Sequence, residues 1–196
     1  MKKKLLILFF LFLLASCVGS SSGGVFGTGV SVALDPRTLG TQIDDSIMQK
    51  NLLARLALTE KKYLVKLSVK VLDGRIFLSG KVDEPEEKLK ITKMAWETKG
   101  ARSVKNNIAI KQKFSFKNTT IDVLITSQLR TALIFNKNVK ASNFNIDTIN
   151  QKTYVFGIAS SEDEKKEIIQ EAKQIVDLKE LVTSILMTSD LSRRRE

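Results

Sequence analysis

The sequence predicts an α+β fold: two tandem copies of one small domain, each a three-stranded mixed sheet packed by two helices in the order αββαβ. Three observations predict it. Sliding the chain against itself by 77 positions aligns two ungapped segments, each about 70 residues long. Within each segment apolar residues recur at helical spacing and then in alternation. Turn-forming residues separate these runs, Asp73-Gly74 most clearly.

The aligned positions are specific. Asp45 falls on Asp122, Leu52 on Leu129, Leu56 on Leu133, Gly80 on Gly157, Glu87 on Glu164, Lys88 on Lys165 and Ala95 on Ala172. Conservative pairs lie between them, such as Val69 with Ile146, Phe77 with Tyr154 and Ile108 with Ile185.

In the first unit, residues 43–112, Met48, Leu52 and Leu56 are spaced as one face of a helix, and Val65, Leu67, Val69 and Val71 alternate as a half-buried strand does. Asp73-Gly74 marks a hairpin. Ile76, Leu78 and Val82 continue on a second strand. Pro85 opens a helix that runs to about Thr98, because a first-turn residue has no internal partner for its N–H in any case. Gly100 ends that helix, and Val104 to Ile110 make the last strand. The second unit, residues 119–189, repeats this with helix 121–136, strands near 142–149 and 152–159, helix 161–176 and strand 180–187. It departs at two turns, where Gln151 replaces Gly74 and Asp177 replaces Gly100, so the turn geometry there stays open. Gly80 and Gly157 each close a second strand, where a side chain would crowd neighbouring backbone or require an unfavourable φ. Both helices cover one face of each sheet, and the other face needs cover from the sister domain or a partner.

The chain opens Met1-Lys2-Lys3-Lys4 and continues with eleven apolar residues, Leu5 to Ala15. That is the charged n-region and short h-region of an export signal, too short for the roughly 20 residues that span a bilayer. Leu14-Ala15-Ser16-Cys17 resembles the lipobox of bacterial lipoproteins, which implies removal of residues 1–16 and acylation, palmitate included, of Cys17. Cys17 is the single cysteine, and lipidation explains an odd cysteine in an exported chain. Val18 rather than aspartate after the cysteine favours outer-membrane sorting. Residues 17–42, rich in Gly and Ser as far as Gly29, read as a lipidated flexible linker. Residues 190–196 form a basic tail.

Removing residues 1–16 takes away three lysines and no acid, leaving 29 basic against 21 acidic residues, a charge of +8. For an anchored envelope protein this favours anionic phospholipid as partner. Nucleic acid is not expected, since no recognised binding motif accompanies the charge. There is no histidine, and the one thiol is committed to the anchor. Imidazole bases, Cys-His catalysis and His-based zinc sites are therefore excluded. Neither enzyme activity, nor a cofactor, nor a metal is expected. The acid clusters Asp44-Asp45, Glu84 to Glu87 and Glu162 to Glu164 sit at the expected starts of helices, where carboxylates satisfy free N–H groups.

The helix–hairpin–helix–strand unit, with Gly80 and Gly157 closing the second strands, resembles the BON domain. Asp35-Pro36-Arg37 followed by Gly40-Thr41-Gln42-Ile43-Asp44-Asp45, between a lipobox linker and two such units, is similar to the dual-BON outer-membrane lipoproteins over residues 17 to about 189. The resemblance implies a binding module facing the periplasm, associated with anionic phospholipid and envelope integrity. It supplies no catalytic residues.

One helix carries an independent signal. On a wheel of residues 121–136, Ile121, Ile125, Leu129, Ala132 and Leu133 form the core stripe, and Val123, Leu124, Ile134 and Phe135 fall outside it beside Arg130, Lys137 and Lys140. The equivalent helix of the first unit has Ser46, Gln49, Lys50 and Asn51 on its flanks. Apolar residues beside positive charge are what an interfacial helix presents. Packing of the same residues against the first domain is the other reading. In the family this helix can begin with an aromatic membrane anchor, a position held here by Val123 and Leu124. A scaffold that docks envelope proteins, such as the outer-membrane β-barrel assembly machinery, on bare sheet faces or on the basic surface is the alternative function.

Overall fold

The computed structural model describes residues 35–111 and 116–192, without the side chains of 116–118. The first domain begins with α1 (Leu39–Thr59), whose first turn is capped by the Thr38 hydroxyl accepting from the Thr41 amide at 3.2 Å. Met48, Leu52 and Leu56 line its buried face. A single helical turn, α2 (Tyr63–Lys66), leads into β1 (Leu67–Leu72), which pairs antiparallel with β2 (Arg75–Val82) from Leu67 opposite Gly80 to Leu72 opposite Arg75. The connecting residues Asp73 and Gly74 have φ of 52° and 73°, the doubly left-handed turn whose twist suits a hairpin.

Helix α3 (Pro85–Trp96) follows with Pro in its first turn and a capping box between Glu84 and Glu87. It carries the chain across the sheet so that β3 (Ser103–Ile110) lies parallel to β2. The second domain repeats the plan: α4 (Phe116–Phe135), β4 (Phe144–Ile149) antiparallel to β5 (Lys152–Ala159), α5 (Glu162–Lys173), and β6 (Glu180–Met187) parallel to β5. The sheet orders β1-β2-β3 and β4-β5-β6 are equivalent, as the 77-residue offset predicts.

Three apolar clusters hold these elements. Leu52, Leu56, Ile76, Leu78, Ile91 and Ile108 sit between the first sheet and its helices. Leu129, Leu133, Val155, Ile168 and Ala172 do the same in the second domain. The third cluster lies between the domains, where Leu72 and Phe77 meet Ile149, Tyr154, Phe156, Ile158 and Leu191. Alternation explains it: Leu78 and Val155 face the helices, so Phe77 and Phe156 face the other way. Their ring centroids are 5.1 Å apart, and burying each contributes roughly 1.5–3 kcal/mol. The two bare sheet faces therefore cover one another. The layers run α1/α3, first sheet, second sheet, α4/α5. Polar clasps close the seam: Ser79 donates to Asp147 at 2.6 Å, Arg75 to the Asp190 carbonyl at 3.2 Å, and the Ser192 amide to Asp73 at 3.1 Å.

Several boundaries differ from the sequence reading. Helix α1 starts at Leu39 and α4 at Phe116, so Asp45 and Asp122 are interior residues instead of first-turn acids. Both are buried, and each carboxylate bonds to a hairpin turn. Val65 belongs to α2 and is 90% exposed, so the strand alternation begins at Leu67. Gln151 and Asp177 keep positive φ, 64° and 67°, although neither is glycine.

Candidate functional site

Helix α4 buries Asp122, Ile125, Leu129 and Leu133, and leaves Val123, Leu124, Ile134 and Phe135 exposed at 60, 53, 62 and 79%. The apolar side chains named from the wheel are thus exposed, although Val123 borders a cleft against the first domain. They form two rows, Val123-Ser127-Arg130-Ile134 and Leu124-Gln128-Thr131-Phe135, because three- and four-residue steps share a face. Each row is apolar at its ends and polar at its centre. The two apolar ends stand about 16 Å apart along the axis. Arg130 is exposed within the first row, Lys137 is exposed in the turn just past the helix, and Asp122, the one acid of the helix, is turned to the buried side.

Two hollows flank this helix. At its N-terminal half a cleft of about 550 Å³ is lined by Val123, Ser127 and Arg130 together with Lys66 and Lys81 of the first domain. At its C-terminal half a groove of about 330 Å³ is lined by Arg130, Ile134, Ser142 and Phe144. Arg130 borders both.

Asp122, Lys66 and Lys81 of the cleft are paired. Asp122 accepts from the Asn150 and Gln151 amides at 2.9 and 2.7 Å, and Lys81 reaches it at 3.4 Å. Lys66 pairs with Asp83 at 2.9 Å, and this bond holds the Asp83 carboxyl down at about 2. Asp45 does for the first hairpin what Asp122 does for the second, accepting from the Asp73 and Gly74 amides at 2.6 and 2.8 Å. The Asp35-Pro36-Arg37 stretch completes this arrangement: Arg37 bonds Asp45 and Asp35 at 2.5 Å each and reaches the Val71 carbonyl at 3.4 Å. Sequence reasoning quoted that motif without its role. The signal available was an arginine eight residues before an aspartate that recurs in both repeats.

Gly74 occupies its left-handed turn position. Gly80 has φ of 128°, and a Cβ there would run into the Lys66 carbonyl and lie 2.9 Å from the Leu67 Cα. Gly157 has no positive φ, but a Cβ would collide with the Phe144 ring and lie 2.5 Å from the Asn143 carbonyl. Crowding is thus common to both, and backbone conformation adds to it only at Gly80. Cys17, the lipidation candidate, lies outside the described residues.

One contrast drawn from sequence needs correction. Helix α1 is not simply the polar counterpart of α4: Leu39, Ile43, Ile47 and Leu58 are 53, 59, 53 and 89% exposed. The helices differ in where their charge lies: the first domain has Leu53 and Glu60 where the second has Arg130 and Lys137, and Lys50 and Arg55 where it has Ser127 and Ala132, with Arg55 paired to Glu97.

The BON domain family model matches residues 44–112 and again 121–187. Among curated proteins, an uncharacterized protein in the gshII 5' region of Anaplasma centrale is 30% identical over 65% of this chain and 85% of its own length. The outer membrane lipoprotein DolP of Haemophilus influenzae is 29% identical over 80% of this chain and 81% of its own. The 21 kDa hemolysin of Actinobacillus pleuropneumoniae is 25% identical over 63% of this chain and 64% of its own.

Proposed function

The chain belongs to the BON-domain family, and from that premise we propose that it is an outer-membrane lipoprotein, anchored through Cys17 and facing the periplasm, whose second domain binds anionic phospholipid and helps maintain envelope integrity. The observation that carries this reading is the exposed surface of α4 and the turn after it: four large apolar side chains, the cations Arg130 and Lys137, and no outward carboxylate on the helix. An aqueous monomer gains nothing from such side chains, whereas an interfacial helix buries them among acyl chains at roughly 1.5–3 kcal/mol each. Arg130 and Lys137 add about 1 kcal/mol each near an anionic surface. Because the apolar residues sit at the two ends of the face with polar residues between, the contact is shallow.

The relative from Haemophilus influenzae, named an outer membrane lipoprotein, supports the compartment. A scaffold for envelope assembly proteins would have to use the basic surface, since the two sheet faces are buried against each other.

Flotation tests the reading. Residues 18–196, which lack the anchor cysteine and keep every described residue, should float with vesicles of equimolar phosphatidylglycerol and phosphatidylcholine and not with phosphatidylcholine alone. Failure to float with either contradicts lipid binding and favours the scaffold.

A further inference from the structure

On the opposite helical layer, α3 exposes a second apolar pair, Leu89 at 70% and Trp96 at 53%. They lie seven residues apart, two turns along one face, with Lys93 between them and Lys90 and Lys99 exposed nearby. The acids of this region are Glu86 and Glu97, and Glu97 is engaged by Arg55 at 3.0 Å and Lys93 at 3.9 Å. The internal repeat supplies the comparison. At the positions equivalent to Leu89 and Trp96 the second domain carries Lys166 and Lys173, both exposed on α5. The fold accepts lysine at these places, so packing does not account for leucine and tryptophan in the first domain.

We propose that the Leu89–Trp96 face of α3 is a second contact for anionic lipid, separate from α4 and turned away from it. Tryptophan beside lysine is the pairing suited to a bilayer interface, where the indole body is buried, its N–H stays hydrated and the ammonium meets phosphate. Apolar helix faces on the two opposite outer layers then allow one molecule to hold two membrane surfaces. This inference stands apart from the reading of α4, because each helix is tested by its own signal.

Trp96 is the single tryptophan of the chain, so its emission reports this face alone. With residues 18–196 and equimolar phosphatidylglycerol and phosphatidylcholine vesicles, the emission should shift to shorter wavelength and be quenched by brominated acyl chains. The protein should also cluster vesicles, read as a rise in light scattering. Leu89→Gln with Trp96→Gln, at positions whose counterparts are already polar, should still float with vesicles but no longer cluster them. Unchanged Trp96 emission on protein that floats, or clustering undiminished in the double variant, overturns the proposal, as does absence of any vesicle binding. If Leu124→Ser with Phe135→Ser floats like the unaltered chain while the Trp96 shift persists, the α4 reading fails and this one stands.

Discussion

Asp45 and Asp122 occupy the same position in the two domains, and each accepts two backbone N–H bonds from the hairpin of its own sheet. Each ties a helix to a turn 28 or 29 residues further on, which fixes where the helix lies over the sheet. Charged hydrogen bonds of this kind contribute about 1.5–3 kcal/mol. Asp45→Ala should cost more stability than Asp122→Ala, because it also leaves the buried Arg37 without one of its two carboxylates. Urea unfolding of both variants checks the order, and equal losses would argue against the Arg37 contribution.

Gln151 and Asp177 hold left-handed backbone where the first domain has glycine. A non-glycine residue there costs roughly 1–2 kcal/mol, partly offset by the larger entropy glycine loses on folding. Gln151→Gly should therefore raise stability by about 0.5–1 kcal/mol. Gly157→Val should do the opposite, costing about 2 kcal/mol or more through its collision with Phe144. Thermal unfolding midpoints measure both, and a Gly157→Val chain as stable as its parent would contradict the crowding.

Asp83 and Glu87 are each held at about 2, the first by its bond from Lys66 and the second by its bond from Lys62. Their ordinary values are 3.8 and 4.5. Carboxyls depressed in the folded state stabilise it fully above the unfolded values and lose that contribution as pH falls toward the folded ones. The thermal midpoint should decline between about pH 5 and pH 2. Lys62→Met with Lys66→Met should flatten that decline, and an unaltered slope would show that other groups govern it.

Much of the fold could be read in advance because periods of two and 3.6 residues, repeated at one offset, identify core positions twice over. Phe77 and Phe156 could be placed on the outward face of a strand, but nothing in the local pattern says that the two faces meet. The starts of α1 and α4 were misplaced for a related reason. Asp45 and Asp122 look like N-terminal acids in sequence, and their partners are turns far along the chain. On α4 the repeat fixed the buried stripe, so the outward residues followed. The exposed Leu39, Ile43 and Ile47 of α1 did not stand out, because polar neighbours such as Gln42 and Ser46 mask a stripe of four-residue steps.

Cys17→Ala should release the protein from the outer-membrane fraction in detergent-free extracts, since two or more acyl chains hold far more durably than a shallow interfacial helix. Quantitative retention of the variant would mean that the anchor lies elsewhere.

The most direct measurement of the central claim is vesicle affinity of residues 18–196 carrying Leu124→Ser and Phe135→Ser, beside a control with Ile47→Ser and Leu58→Ser. The control positions are equivalent in the repeat and exposed as well, but lie on a helix with Leu53 and Glu60 in place of Arg130 and Lys137 and with Lys50 in place of Ser127. Losing two side chains worth roughly 1.5–3 kcal/mol each should lower affinity for phosphatidylglycerol vesicles by well over tenfold. The folded state should survive, the control should bind as the unaltered chain does, and added salt should weaken what remains through Arg130 and Lys137. Equal weakening by both pairs, or unfolding of the Leu124/Phe135 variant, would contradict the assignment of α4 as the lipid contact.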